Sequence, residues 1–108
     1  MKLEEIKNGL ENLGFKVAYN SFSDTETPEY PYVIYRSDGV DNFWADGIIY
    51  ATIESILIEL YTSGKKPEDE KKIESWLKEK GLSYRKEEDT VESDKLKNTY
   101  TISIVRED

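Results

Sequence analysis

Residues 48–61 read Ile48-Ile-Tyr-Ala-Thr-Ile-Glu-Ser-Ile-Leu-Ile-Glu-Leu-Tyr61, the longest apolar run in the chain. The run is rich in β-branched and aromatic residues and holds no Gly or Pro, which favours a long strand over a helix. Side chains alternate across a strand. One face therefore carries Ile48, Tyr50, Ile56, Ile58 and Leu60, and the other Ile49, Ala51, Ile53, Leu57 and Tyr61. Glu54 and Glu59 interrupt one face each. A strand with two apolar faces belongs in the middle of a sheet.

Before this run, Leu3, Ile6, Leu10 and Leu13 form one helical stripe, and Gly14 stands where a left-handed cap needs no Cβ. Phe15, Val17 and Tyr19 alternate as a short strand, and residues 21–31 are polar, acidic and proline-containing, as a loop is. Tyr32-Val-Ile-Tyr-Arg36 is the next strand. Residues 37–47 hold two Asp-Gly pairs, each a turn signal, with Phe43 and Trp44 between them. After the long strand, Pro67 suits the first turn of a helix whose positive end takes Glu68, Asp69 and Glu70. Ile73, Trp76 and Leu77 are its buried stripe, Lys78 and Lys80 its basic end and Gly81 its stop. Leu82 and Tyr84 begin another strand, residues 86–97 read as a charged connection, and Tyr100–Val105 is the last strand.

These elements predict one α+β domain over residues 1–108, in the order α-β-β-β-β-α-β-β. Its sheet is antiparallel or mixed, of about five to six strands, with two helices packed mainly on one face. The helical stripes hold four and three large apolar residues. At roughly 1.5–3 kcal/mol for each one fully buried, they anchor two helices on a sheet but cannot roof both of its faces. A helix on each face is the competing arrangement.

Composition narrows the chemistry. The chain has 108 residues, no Cys and no His, so it lacks the thiolate and the neutral-pH base that most nucleophilic and metal sites use. Its 15 basic and 23 acidic residues leave a net charge of −8, which disfavours wrapping nucleic acid or adhering to anionic membranes. The charged first residues lack the apolar stretch of a secretion signal, so a cytoplasmic protein is expected.

Most carboxylates fall in turns and helix ends, among them Asp24, Glu26, Glu87, Glu88 and Asp89, where they are expected to be solvated. Only Glu54 and Glu59, inside the long strand, have surroundings that could tune a catalytic carboxyl. Residues 38–46 do not match the spacing of a calcium loop. Gly64-Lys65-Lys66 lacks the upstream glycine and the following Ser or Thr of a phosphate loop. No catalytic residue, metal ligand or cofactor is expected. Phe43 and Trp44 either fold back into the core or stand as anchors for a partner, and with eight tyrosines in the chain a binding or assembly role is favoured. Tyr35, Ile53, Leu57 and Tyr61 join them as candidate interface residues.

Several phrases together resemble a known family. They are Leu13-Gly-Phe-Lys-Val-Ala-Tyr19, Pro31-Tyr-Val-Ile-Tyr35, Asp41-Asn-Phe-Trp-Ala-Asp46, Ile58-Glu-Leu-Tyr-Thr62, Glu70-Lys-Lys-Ile-Glu74 and Val91-Glu-Ser-Asp-Lys-Leu96. The chain is similar to small tail-terminator and head–tail joining proteins of long-tailed phages and prophages. The resemblance implies a virion structural protein without catalytic activity. Its copies would form a ring, hexameric in typical terminators, that caps the tail tube and offers a surface to the filled head. The implied partners are further copies, the major tail tube protein and head connector proteins, with no membrane and no sequence-specific nucleic-acid contact. Tail-completion and minor capsid proteins of the same virion region share this size and fold. A different class also fits the charge: an acidic inhibitor that imitates DNA, although here bases and acids are interspersed.

Overall fold

The computed structural model describes residues 1–23, 25 and 28–106, with the side chains of Ala45, Ile49 and Tyr50 left aside. The acidic-loop residues Asp24 and Glu26 thus lie outside the described residues. So do the side-chain directions expected for Ile49 and Tyr50.

Helix α1 spans Leu3–Asn12 and helix α2 spans Pro67–Glu79. At the start of α1 the Lys2 N–H donates to Glu5 Oε1 at 3.2 Å, using a carboxylate where backbone donors are unpaired. At the end of α2, Gly81 takes φ 70° and the Leu82 N–H closes back onto the Leu77 carbonyl at 2.9 Å. That closure tucks Leu82 against the core.

Five strands form one sheet: β1 Lys16–Tyr19, β2 Tyr32–Ala45, β3 Ile48–Ser63, β4 Arg85–Glu92 and β5 Lys95–Val105. Their spatial order is β1-β2-β3-β5-β4, with β3 in the centre as its composition predicts. Of the two sheet types expected one is adopted, and two corrections follow. The sheet is mixed, because β1 pairs with β2 in parallel while every other pairing is antiparallel. A parallel return needs about a dozen residues of connection, and residues 20–31 supply it. Only three strands, not four, precede α2. Finally, the charged segment after Tyr84 is strand β4 rather than a connection, exposed along its whole length. It pairs with β5 from Arg85↔Thr101 to Glu92↔Lys95, and its charges suit a sheet edge.

Both helices lie on one face. Across antiparallel partners, Val33 and Tyr35 of β2, Ile56, Ile58 and Leu60 of β3, and Tyr100, Ile102 and Ile104 of β5 all point the same way. They are buried in one cluster with Ile6 and Leu10 of α1 and Ile73, Trp76 and Leu77 of α2. The arrangement with one helix on each face is not the one adopted. After each helix the chain turns at a left-handed glycine, Gly14 or Gly81, and the strand that follows becomes a sheet edge.

Candidate partner interface

The segment at 37–47 is not a pair of turns but the outer part of strand β2 and the turn of a long hairpin. Strand β2 continues to Ala45 and meets β3 through a two-residue turn, Asp46 (φ 52°) and Gly47 (φ 76°). Positive φ at both central residues matches the right-handed twist of a hairpin, which is why Asp-Gly serves there. The first Asp-Gly pair does something else. Ser37 faces Ile56 and Val40 faces Glu54, so Asp38-Gly39 absorbs one extra residue as a bulge and pairing resumes.

Strand β1 reaches only to Tyr35 of β2, and β5 reaches only to Ile53 of β3. Residues 40–45 and 48–51 are therefore paired with each other alone and project as an arm. The molecule measures 52 Å along its longest axis and has a radius of gyration of 15.0 Å. A compact chain of this length would have about 13 Å. On the arm, Phe43 is 59%, Trp44 63% and Ile48 64% exposed, with Val40 also exposed. Two large aromatics and a β-branched residue exposed to water are the kind of surface that marks an interaction site.

The second feature is the sheet face opposite the helices. Tyr32, Ile34 and Arg36 of β2 share it with Ile53, Leu57, Glu59 and Tyr61 of β3 and with Lys97, Thr99 and Thr101 of β5. Among the described residues no helix covers it, and Ile34, Ile53, Leu57 and Tyr61 remain half-buried. One end is closed by aromatics: Tyr32 stacks on Tyr61 at 4.9 Å between centroids, and Phe22 and Tyr30 pack edge-on or tilted against Tyr32. Beside them Arg36 donates to Glu59 Oε2 at 2.6 Å, the Tyr61 hydroxyl donates to Glu59 Oε1 at 3.3 Å, and Lys97 stands 3.8 Å away. Burial, reinforced by the Glu59 carboxylate, pushes the Tyr61 hydroxyl up to about 12. Polar groups thus divide this face, which is less continuously apolar than its sequence implies.

The expected interface residues separate accordingly. Phe43 and Trp44 lie on the arm, and Ile53, Leu57 and Tyr61 lie on the open face. Tyr35 lies on the opposite face in the helix-covered core, only 5% exposed, with its ring 5.1 Å from that of the exposed Tyr19. It cannot touch a partner there. Ile48 and Val40 on the arm were legible only as strand and turn residues. The signal for them is the Asp46-Gly47 pair flanked by Trp44 and Ile48.

The two strand carboxylates are structural in their contacts. Glu54 is buried on the helix side, where Ser37 Oγ donates to its Oε2 at 2.7 Å and Oε1 finds no partner among the described residues. Glu59 is held by Arg36 and Tyr61 as above. The most connected charges lie elsewhere, under the start of α2. Lys86 of β4 donates to Glu70 and, at 2.8 Å, to Glu74, while Lys65 bridges Glu70 and Glu88, the latter at 2.7 Å. The buried Tyr100 hydroxyl donates to Glu74 at 2.7 Å. Glu88 is exposed as its sequence suggests, but it stands on strand β4 rather than in a turn, and its bond from Lys65 holds its carboxyl below the usual range. This network ties β4 to α2.

Among the described residues no group of acidic side chains is arranged to hold a metal ion, and no helix is long and apolar enough to cross a membrane. No protein-family model matches the chain, and no curated protein matches it.

Proposed function

We propose that this chain is a virion assembly subunit, one whose copies form a ring at the head-proximal end of a long phage tail, cap the tail tube and help join tail to head. The observation that carries the reading is the arm. A hairpin whose exposed tip displays Phe43, Trp44 and Ile48 contributes little to its own fold and is built to be covered by another molecule. The half-buried sheet face around Ile53, Leu57 and Tyr61 gives a second, different surface. A subunit that joins head to tail with its neighbours needs two unlike surfaces of this kind. The choice of a phage tail over other assemblies rests on the sequence resemblance. A tail-completion or minor capsid role in the same virion region uses the same surfaces.

On this reading the chain works without catalysis or cofactor, its partners are further copies, typically six, with the tail tube protein and head connector proteins, and it resides in the virion after assembly in the host cytoplasm. Mass by light scattering across a concentration series, then electron microscopy of the chain mixed with isolated tail tubes, tests it. Rings, or density bound at tube ends, support the proposal. A chain that neither self-associates nor binds tube ends overturns it.

A further inference from the structure

The arm needs a receptor, and three clefts or faces compete for it. The groove between the helices, around Gly9 and Trp76, is bordered by two acids, Glu5 and Glu79, and one base, Lys80. On the open sheet face acids and bases are already matched, Glu59 by Arg36 and Lys97 and the edge acid Glu87 by Arg85, with Asp89 opposite Lys97. The third candidate is a cleft of about 530 Å³ between α2 and the loop leading to β4. Its walls include Leu82 and Tyr84 as apolar surface and Lys71 and Lys78 as charge.

Charge separates the three. From residue 37 to 52 the chain carries Asp38, Asp41 and Asp46 and no basic residue. None of the three acids makes an ion pair or side-chain hydrogen bond among the described residues. In the third cleft Glu74 is already held by Lys86 and the Tyr100 hydroxyl, while Lys71 and Lys78 have no acidic partner among the described residues. An acidic, aromatic tip is therefore matched in the third cleft by two lysines without an acidic partner among the described residues, beside apolar surface. The cleft is open to solvent and its volume leaves room for an indole laid against its wall. Within one copy the contact is out of reach. The arm begins past the Ile53↔Val105 row, whereas Tyr84 adjoins the Arg85↔Thr101 row, farther back along β5 on the helix side.

Resting on the assembly reading above, we infer that the arm tip of one copy seats in the α2–β4 cleft of a second copy. Trp44 lies against Leu82 and Tyr84, and Asp41 and Asp46 face Lys71 and Lys78. The two surfaces are unlike, so the contact is head-to-tail, and repeating it produces a closed ring or an open filament according to its rotation.

Two double variants test the pairing, Asp41→Lys/Asp46→Lys and Lys71→Glu/Lys78→Glu, each checked by circular dichroism and followed by sedimentation over a concentration series. Alone, each sets like charges against each other and raises the dissociation constant of self-association by roughly tenfold or more. Mixed in equal amounts, the arm of each variant meets an opposite cleft on the other, and association returns to within about threefold of the unaltered chain. Self-association untouched by either reversal, or a mixture that stays dissociated, overturns the placement while leaving the assembly reading intact. An unaltered chain that never self-associates and ignores tube ends overturns both. Should a reversal variant fail to fold, Asp46→Cys mixed with Ser83→Cys gives the same answer, because the chain has no cysteine of its own. A disulfide between the two copies upholds the contact, and none at associating concentrations overturns it.

Discussion

Gly9 of α1 lies directly under the indole of Trp76 of α2. A Cβ placed on Gly9 would come within 2.6 Å of Trp76 Cε2 and 2.7 Å of Nε1, closer than any real Cβ contact. The glycine is what allows the two helices to share one sheet face with a tryptophan between them.

Gly9→Ala should therefore destabilise the fold by about 1–3 kcal/mol, despite the roughly 1 kcal/mol that alanine gains in a helix interior. Urea unfolding measures it. Adding Trp76→Leu should make the pair less costly than the sum of the single changes, since the clash is shared. Additive costs would show that the contact does not constrain the helices.

Arg36 is the ion-pair partner of Glu59, whose side chain is only 3% exposed on the open face. Arg36→Ala should cost about 1–3 kcal/mol, held below the usual cost of orphaning a buried charge because Arg36 is itself part-exposed and Lys97 stays near. Arg36→Ala with Glu59→Leu should recover most of that loss. A thermal unfolding series of the three variants distinguishes a pair that stabilises from one that merely satisfies its own burial.

Trp44→Ala should leave unfolding within about 0.5 kcal/mol of the original, as expected for an exposed side chain. The same change should weaken self-association by tenfold or more if Trp44 anchors the contact. Equilibrium unfolding and sedimentation on one preparation separate the two effects. A large loss of stability would return Trp44 to the core.

The network under α2 sets a pH window. Burial works against a charged Glu74, but the bonds from Lys86 and Tyr100 outweigh it and hold its carboxyl below the ordinary value. A depressed carboxyl stabilises the fold above its unfolded pKa, and that stability disappears as pH falls through the folded value. Lys86 is raised, because Glu70 and Glu74 outweigh its burial, so its contribution holds below its unfolded pKa and fades as pH rises through the folded one. Stability should thus be flat between about pH 5 and 10 and decline on both sides. In Glu74→Gln the acid-side decline should shrink, which unfolding at pH 3, 4 and 6 would reveal.

Much of this architecture was written in local pattern. Periodicity placed both helices, Pro67 and Gly81 set the ends of α2, and the apolar run at 48–61 marked the central strand, because these features depend on neighbours within one turn or one pleat. Both strand faces around Ile56 and Leu57 were also legible, and the narrow helical stripes already implied that only one of them would be roofed.

The sequence by itself determined the two helices, the central place of β3 and the aromatic content of residues 43–44, but not the strand character of residues 40–45 and 85–92. Only the tertiary structure decided that β1 runs parallel to β2, that Asp38-Gly39 is a bulge while Asp46-Gly47 is the turn, and that Tyr35 is core while Trp44 is surface. Those outcomes depend on which strand lies alongside. An Asp-Gly pair turns a chain or bulges it according to whether pairing continues beyond it, and an aromatic is buried or exposed according to whether a helix covers its row of the sheet. Neither condition is present in the residues themselves.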